Sequence, residues 1–144
     1  MSDQELIWAS LEIAAERCDD LVPPIYRRLF EARPQVEEIF AVGPGDRPNP
    51  AMGSMVNEIL ALVAEGIDNG ALNSTIMSTL ITHLGWGVDL DLYDAMLNAV
   101  VDSVRAECAE QWTDAMHAAW QRRMHLIMDS LCDNQSTIDQ QQHH

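Results

Sequence analysis

The sequence DLDLYDAMLNAVVDSVR, residues 89–105, carries the pattern that decides the fold class. Its apolar residues recur at offsets of 0, 3, 4, 7, 8 and 11, the spacing of one face of an α-helix. They are Tyr93, Met96, Leu97, Val100, Val101 and Val104. Asp89 stands where a helix N-cap residue is expected. The segment therefore predicts a long amphipathic helix.

Helical periodicity continues on both sides of this segment. Toward the C-terminus, Thr113 or Asp114 is expected to begin a last helix with a second apolar stripe, namely Met116, Trp120, Met124, Ile127, Met128 and Leu131. Toward the N-terminus, Ser2 and Glu5 form a capping box, and Pro23 lies just inside the start of a second helix. Strand-like alternation is nearly absent, so we predict an all-α domain of about seven helices.

The chain is expected to form one domain over residues 1–132. A proline-rich loop occupies residues 41–50, and no internal repeat or second core pattern follows it. Residues 133–144 are polar and are predicted to be a disordered tail.

Composition excludes several functions. The chain has 23 acidic residues against eight basic ones, a formal net charge of −15, and no lysine. This charge disfavours binding to nucleic acid or to an anionic membrane, and the missing lysine excludes P-loop and Schiff-base chemistry. Three widely spaced cysteines and the lack of a basic, apolar leader predict a cytoplasmic protein.

His83 is the first candidate for chemistry. It lies in an uncharged segment, residues 69–88, with Ile76, Leu80 and Leu84 at helical spacing around it. Such an imidazole is either a hydrogen-bonded core residue or the axial ligand of a haem, which needs a neutral imidazole in an apolar pocket. Spacing alone leaves both interpretations open.

Three motifs resemble a known family. Residues 26–40, YRRLFEARPQVEEIF, match a Tyr-x-x-Leu-Phe pattern followed by Pro and then Phe, and HLGWGV at residues 83–88 precedes Tyr93. An Ala-Trp pair follows at Ala119 and Trp120. In order and spacing, over about residues 4–131, these motifs resemble bacterial single-domain haemoglobins, the globins related to the globin module of flavohaemoglobins.

The resemblance implies a globin-like fold of about seven helices that encloses a haem pocket. It also implies haem b as cofactor and oxygen or another diatomic gas as ligand. It implies that His83 is the proximal iron ligand, that Phe40 packs on the haem face, and that Tyr26 is the distal tyrosine that donates a hydrogen bond to bound gas. Tyr26 could instead be a buried tyrosine bonded to a backbone carbonyl. The further pocket residues would be Met52, Val56, Leu80, Val88 and Tyr93. Arg47 is the best candidate to neutralise a haem propionate, because the chain has few cations.

Two departures from the family pattern affect function. No Gln or His occurs between Phe40 and Ile81, so Met52 and Val56 take the place of the usual polar distal residue. In the alternative interpretation, Met52 is a sixth ligand of the iron. The last glutamate is Glu110, before the last helix, although nitric oxide dioxygenase members place a glutamate in that helix. Asp129 or Asp133 could substitute for this glutamate, but both side chains are shorter. A carboxylate on the proximal imidazole favours O–O bond cleavage, so its absence would argue against strong peroxidase-like chemistry.

Three functions follow as hypotheses. The first is a globin that binds oxygen or another diatomic gas reversibly for storage, delivery or sensing, and it is favoured over an enzyme. The second is a nitric oxide dioxygenase that works with a separate reductase. The third is a haem-free helical interaction module. The sequence leaves the oligomeric state open between monomer and homodimer.

Overall fold

The structure is a computed structural model that describes the backbone of residues 2–34, 50–65, 78 and 90–142, and the side chains of 2–34, 56–65, 78 and 90–133. These residues contain five α-helices and one short 3-10 helix, Ala109–Gln111. The α-helices are α1 (Asp3–Arg17), α2 (Val22–Ala32), α3 (Pro50–Glu65), α4 (Leu90–Cys108) and α5 (Asp114–Gln142). No strand occurs in these ranges, and the predicted all-α class is confirmed.

Local sequence signals explain where the helices begin. The Ser2 hydroxyl accepts a hydrogen bond from the backbone N–H of Glu5 at 3.2 Å, as the capping box predicts. Thr113 Oγ1 accepts one from the N–H of Met116 at 3.0 Å and so caps α5. Pro23 occupies the first turn of α2, where its missing N–H costs no intrahelical bond.

The helix α4 lies at the centre of the described part and packs against α1, α2 and α5. All six residues of its predicted stripe are buried, and Val100 and Val104 are completely so. On α5 the predicted face is buried as well, with Met128 only partly covered. The helix α3 packs against α1 and α2 and contributes Val56, Ile59, Leu62 and Val63 to the same core.

The last helix is longer than the sequence predicted. The backbone of α5 is helical through Gln142, whereas residues from 133 onward were expected to be a disordered tail. No glycine or proline occurs between residues 114 and 142, and glutamine is a good helix former, so nothing in the local sequence ends the helix at residue 132. The domain boundary at residue 132 stays a prediction.

Arginine side chains join helices that are distant in sequence. Arg17, the last residue of α1, donates to the carbonyl oxygens of Glu107 (3.1 Å) and Cys108 (3.0 Å) and pairs with Glu110 at 2.8 Å. These bonds satisfy carbonyls at the end of α4, where Ala109 has a positive φ of 49° that a non-glycine residue rarely adopts. The arginine thus holds a strained corner between α4 and the 3-10 helix.

The described helices have too few consecutive apolar residues, for their length, to cross a membrane.

Candidate functional site

Tyr26 is buried in the first half of α2. Only 2% of the residue is exposed, and its helix neighbours Ile25 and Leu29 are fully buried. Its ring packs on that of Phe30 with the centroids 5.7 Å apart and the planes tilted by 31°. Burial raises the pKa of the Tyr26 phenol well above its usual range, because the phenolate would lose its hydration. The hydroxyl therefore keeps its proton, and with it the capacity to donate, at any ordinary pH.

Tyr93 is the second buried phenol, one turn into α4. It is 5% exposed, and burial raises its pKa to about 12. Tyr26 and Tyr93 belong to one continuous core, to which α2 and α4 contribute by direct packing. The structure thus brings two of the predicted site residues into the same interior.

The helix α3 supplies an apolar wall to this core. Val56 is fully buried, and Ile59, Leu62 and Val63 continue the same face toward the end of the helix. Met52 lies in the first turn of α3, and its side chain is outside the described residues. Val56 is thus buried in the core, and its place in a distal pocket stays a prediction.

The remaining predicted site residues lie outside the described residues. They are the proposed iron ligand His83, the haem contact Phe40, the propionate partner Arg47, and the pocket residues Leu80 and Val88. Their roles stay predictions.

Two arginines that the sequence analysis did not single out join α2 to α4. Arg28 donates to the hydroxyl of the buried Ser103 at 3.3 Å, and that hydroxyl donates to the carbonyl of Ala99 at 2.7 Å. Arg33 pairs with Asp91 through both carboxylate oxygens. Asp91 lies in the first turn of α4, but no local signal identifies a partner 58 residues away.

The described walls of this interior are apolar. Apart from Tyr26, the buried residues of α2 and α3 are aliphatic, and every buried side-chain nitrogen or oxygen atom of the described residues has a hydrogen-bond partner. Within those residues there is also no group of three His, Cys, Asp or Glu that could hold a metal ion by itself. Haem is a largely apolar macrocycle that holds iron with as little as one protein ligand, so apolar walls of this kind are compatible with it.

Comparison with known families decides the classification. The family model described as Globin matches residues 24–131, which span α2 through most of α5. This chain belongs to the globin family. Globins as a family bind haem and, through it, diatomic gases. A search of curated proteins finds no match to the chain.

Proposed function

We propose that this globin binds haem b through His83 and reversibly binds oxygen, or another diatomic gas, for storage, delivery or sensing. The observation that carries the proposal is the burial of Tyr26 on α2, inside the range matched by the globin family. When bound, haem supplies an iron with one coordination position open to a gas molecule. We assign the chain to the bacterial single-domain type, on the motifs around Tyr26 and His83.

Tyr26 gives the pocket its polarity. A phenol that is 2% exposed competes with little water, so a hydrogen bond that it donates to a gas molecule retains most of its strength. Such a bond is worth about 1.5–3 kcal/mol when the acceptor carries partial negative charge. Oxygen would gain this energy and the apolar carbon monoxide would gain little of it, so Tyr26 would favour oxygen.

The other residues that we assign to the distal side are apolar. Val56 can neither donate a hydrogen bond nor ligate iron, and with Ile59 it excludes water from the wall that α3 forms. We propose that Met52 extends this lining, that Phe40, Leu80, Val88 and Tyr93 contact the cofactor, and that Arg47 pairs with a propionate.

Haem titration of the apoprotein tests the proposal. We expect hemin to bind with one-to-one stoichiometry and to give a Soret band, and the ferrous protein to bind oxygen reversibly. Serum albumin under the same conditions controls for adventitious hemin binding. A wild-type protein that acquires no Soret band beyond that control would contradict the proposal and favour the haem-free helical module.

A further inference from the structure

Side chains from two other helices converge on the last turn of α3. The carbonyl oxygen of Ala64 accepts hydrogen bonds from Gln4 Nε2 at 2.7 Å and from Trp8 Nε1 at 2.9 Å, both on α1. Arg123 on α5 donates to the same oxygen at 3.4 Å and to the carbonyl of Val63 at 2.5 Å. Four side-chain donor contacts thus reach two adjacent backbone carbonyls.

Backbone carbonyl oxygens are strong acceptors for charged side-chain donors. A guanidinium offers rigidly oriented, charged donors to these oxygens. Arg123 also donates to Gln4 Oε1 at 2.9 Å, so the donors from α1 and α5 are bonded to each other as well as to α3.

The base of this cluster is held together independently of α3. Arg122 pairs with Asp3 at 2.6 Å, and the buried Trp120 donates to Ser10 Oγ at 2.8 Å, and both bonds join α5 to α1. The α1–α5 pair is therefore a fixed platform, and the cluster of Gln4, Trp8 and Arg123 attaches the end of α3 to it.

This attachment bears on the pocket because α3 is a rigid rod. Val56 precedes Ala64 by eight residues, about 12 Å along the helix axis at 1.5 Å per residue. A helix fixed at its end transmits that position to every residue along it, so a shift or rotation at Ala64 would move Val56 by a comparable amount.

We propose that Arg123, together with Gln4 and Trp8, is a positioning residue for gas binding that sets the axial register of α3. The inference rests on the proposed function, since the gas pocket is the feature that α3 helps to form. Arg123 lies on α5 and contacts α3 at Val63 and Ala64, away from Val56. It therefore acts on the gas only through α3.

Arg122 offers a matched control for a purely structural role. It is the next residue on α5 and also binds α1, but its contacts in the described part of the chain go to Asp3 and none to α3. Arg122→Met and Arg123→Met therefore both remove an arginine that joins α5 to α1, and only the second removes bonds to α3.

The test measures how fast the ferrous holoprotein rebinds carbon monoxide after flash photolysis. We expect Arg123→Met to change the bimolecular rate at least about threefold, as is typical for coupled positions away from a ligand. Arg122→Met should keep the wild-type rate. Arg123→Lys, which keeps a charged donor, should restore part of the change, and Trp8→Phe should give a smaller change in the same direction. Trp8 is 45% exposed, so this variant leaves the core intact if Arg123→Met fails to fold.

Amide hydrogen exchange gives a readout that needs no gas. Arg123→Met should speed exchange over residues 56–65 and leave α1 unchanged, whereas Arg122→Met should not affect α3. Equal rebinding rates in Arg123→Met, Trp8→Phe and wild-type holoprotein would overturn the positioning role and leave the proposed function standing. A wild-type protein that binds no haem would overturn both, and unchanged exchange in α3 would refute the anchor itself.

Discussion

Arg33 and Asp91 form a two-pronged ion pair, with Nε to Oδ2 at 2.6 Å and Nη2 to Oδ1 at 2.8 Å. Arg33 directly follows α2, and Asp91 lies in the first turn of α4, so the pair joins the helices that carry Tyr26 and Tyr93. The guanidinium holds the pKa of the Asp91 carboxyl below its ordinary value of 3.8. The carboxylate also suits the positive end of the α4 dipole.

Removing Arg33 should weaken the protein in a pH-dependent way. Because the folded-state pKa of Asp91 is lowered, its stabilising contribution is present above pH 3.8 and is lost as the pH falls through the lower, folded-state pKa. We expect Arg33→Met to lower the thermal denaturation midpoint near neutral pH, and the difference from wild type to shrink in acid. The effect should be modest, because both side chains are partly exposed.

The exposed Arg27 provides the control for this variant. Arg27 lies on α2, the helix that Arg33 directly follows, and the described residues show no ion pair to Arg27. Arg27→Met should therefore leave the midpoint and its acid dependence close to wild type. A difference between Arg33→Met and wild type that grows in acid would contradict the role given to the ion pair.

The buried Trp120–Ser10 hydrogen bond should show strong coupling between its two partners. The indole is fully buried and donates to Ser10 Oγ at 2.8 Å, and that hydroxyl donates to the carbonyl of Ile7 at 2.6 Å. Ser10→Ala should cost about 1–3 kcal/mol in the free energy of unfolding, because the indole N–H would be left without an acceptor. Trp120→Phe should cost a similar amount through lost packing and the lost bond.

The double variant distinguishes this bond from simple loss of volume. The Trp120→Phe variant has no indole N–H that could lose its acceptor. Adding Ser10→Ala to it should therefore lower the free energy of unfolding by at least about 0.5 kcal/mol less than in wild type. Denaturant unfolding of the four proteins measures the coupling. Ser103→Ala is the matched control, because Ser103 is also buried but donates to Ala99, and its effect should add to that of Trp120→Phe. Additive effects of Ser10→Ala and Trp120→Phe would contradict the prediction.

Tyr26→Phe should speed the release of oxygen from the holoprotein. A lost hydrogen bond of about 2 kcal/mol corresponds to a dissociation rate about thirtyfold higher. The wild-type rate should not vary between about pH 6 and pH 9, since burial keeps the phenol protonated throughout that range. Stopped-flow displacement of oxygen by carbon monoxide measures the rate.

Tyr93→Phe removes the same hydroxyl from the other buried tyrosine and serves as the control. We expect it to change the oxygen dissociation rate much less, because the proposed hydrogen bond to the gas comes from Tyr26. An equal effect of the two variants, or none in Tyr26→Phe, would contradict the distal role of Tyr26.

Local signals predicted much of the fold. The capping residues Ser2 and Thr113, the proline in the first turn of α2 and the apolar stripe of α4 each act within a few residues, and the structure confirms all of them. The end of α5 was missed for a related reason: low hydrophobicity was taken for disorder, although the segment contains no helix breaker.

The contacts between helices could not be predicted in this way. Arg123 reaches carbonyls about 60 residues away, and Arg33 reaches a carboxylate 58 residues away, so neither partner appears in any local pattern. The candidate site came from both sources, since the uncharged apolar segment around His83 is a local pattern, but the assignment of Tyr26 as the distal residue came from the resemblance to globins.

The spectrum of the ferrous protein with and without His83 tests the central claim most directly. We expect His83→Gly to lose the Soret spectrum of five-coordinate ferrous haem and to show a changed spectrum of the carbon monoxide complex. Added imidazole should restore the wild-type spectra, because the free ring can replace the missing ligand. His117→Gly, which removes an exposed histidine on α5, should leave the spectra unchanged. Wild-type spectra in His83→Gly without imidazole would show that another residue holds the iron and would contradict the account.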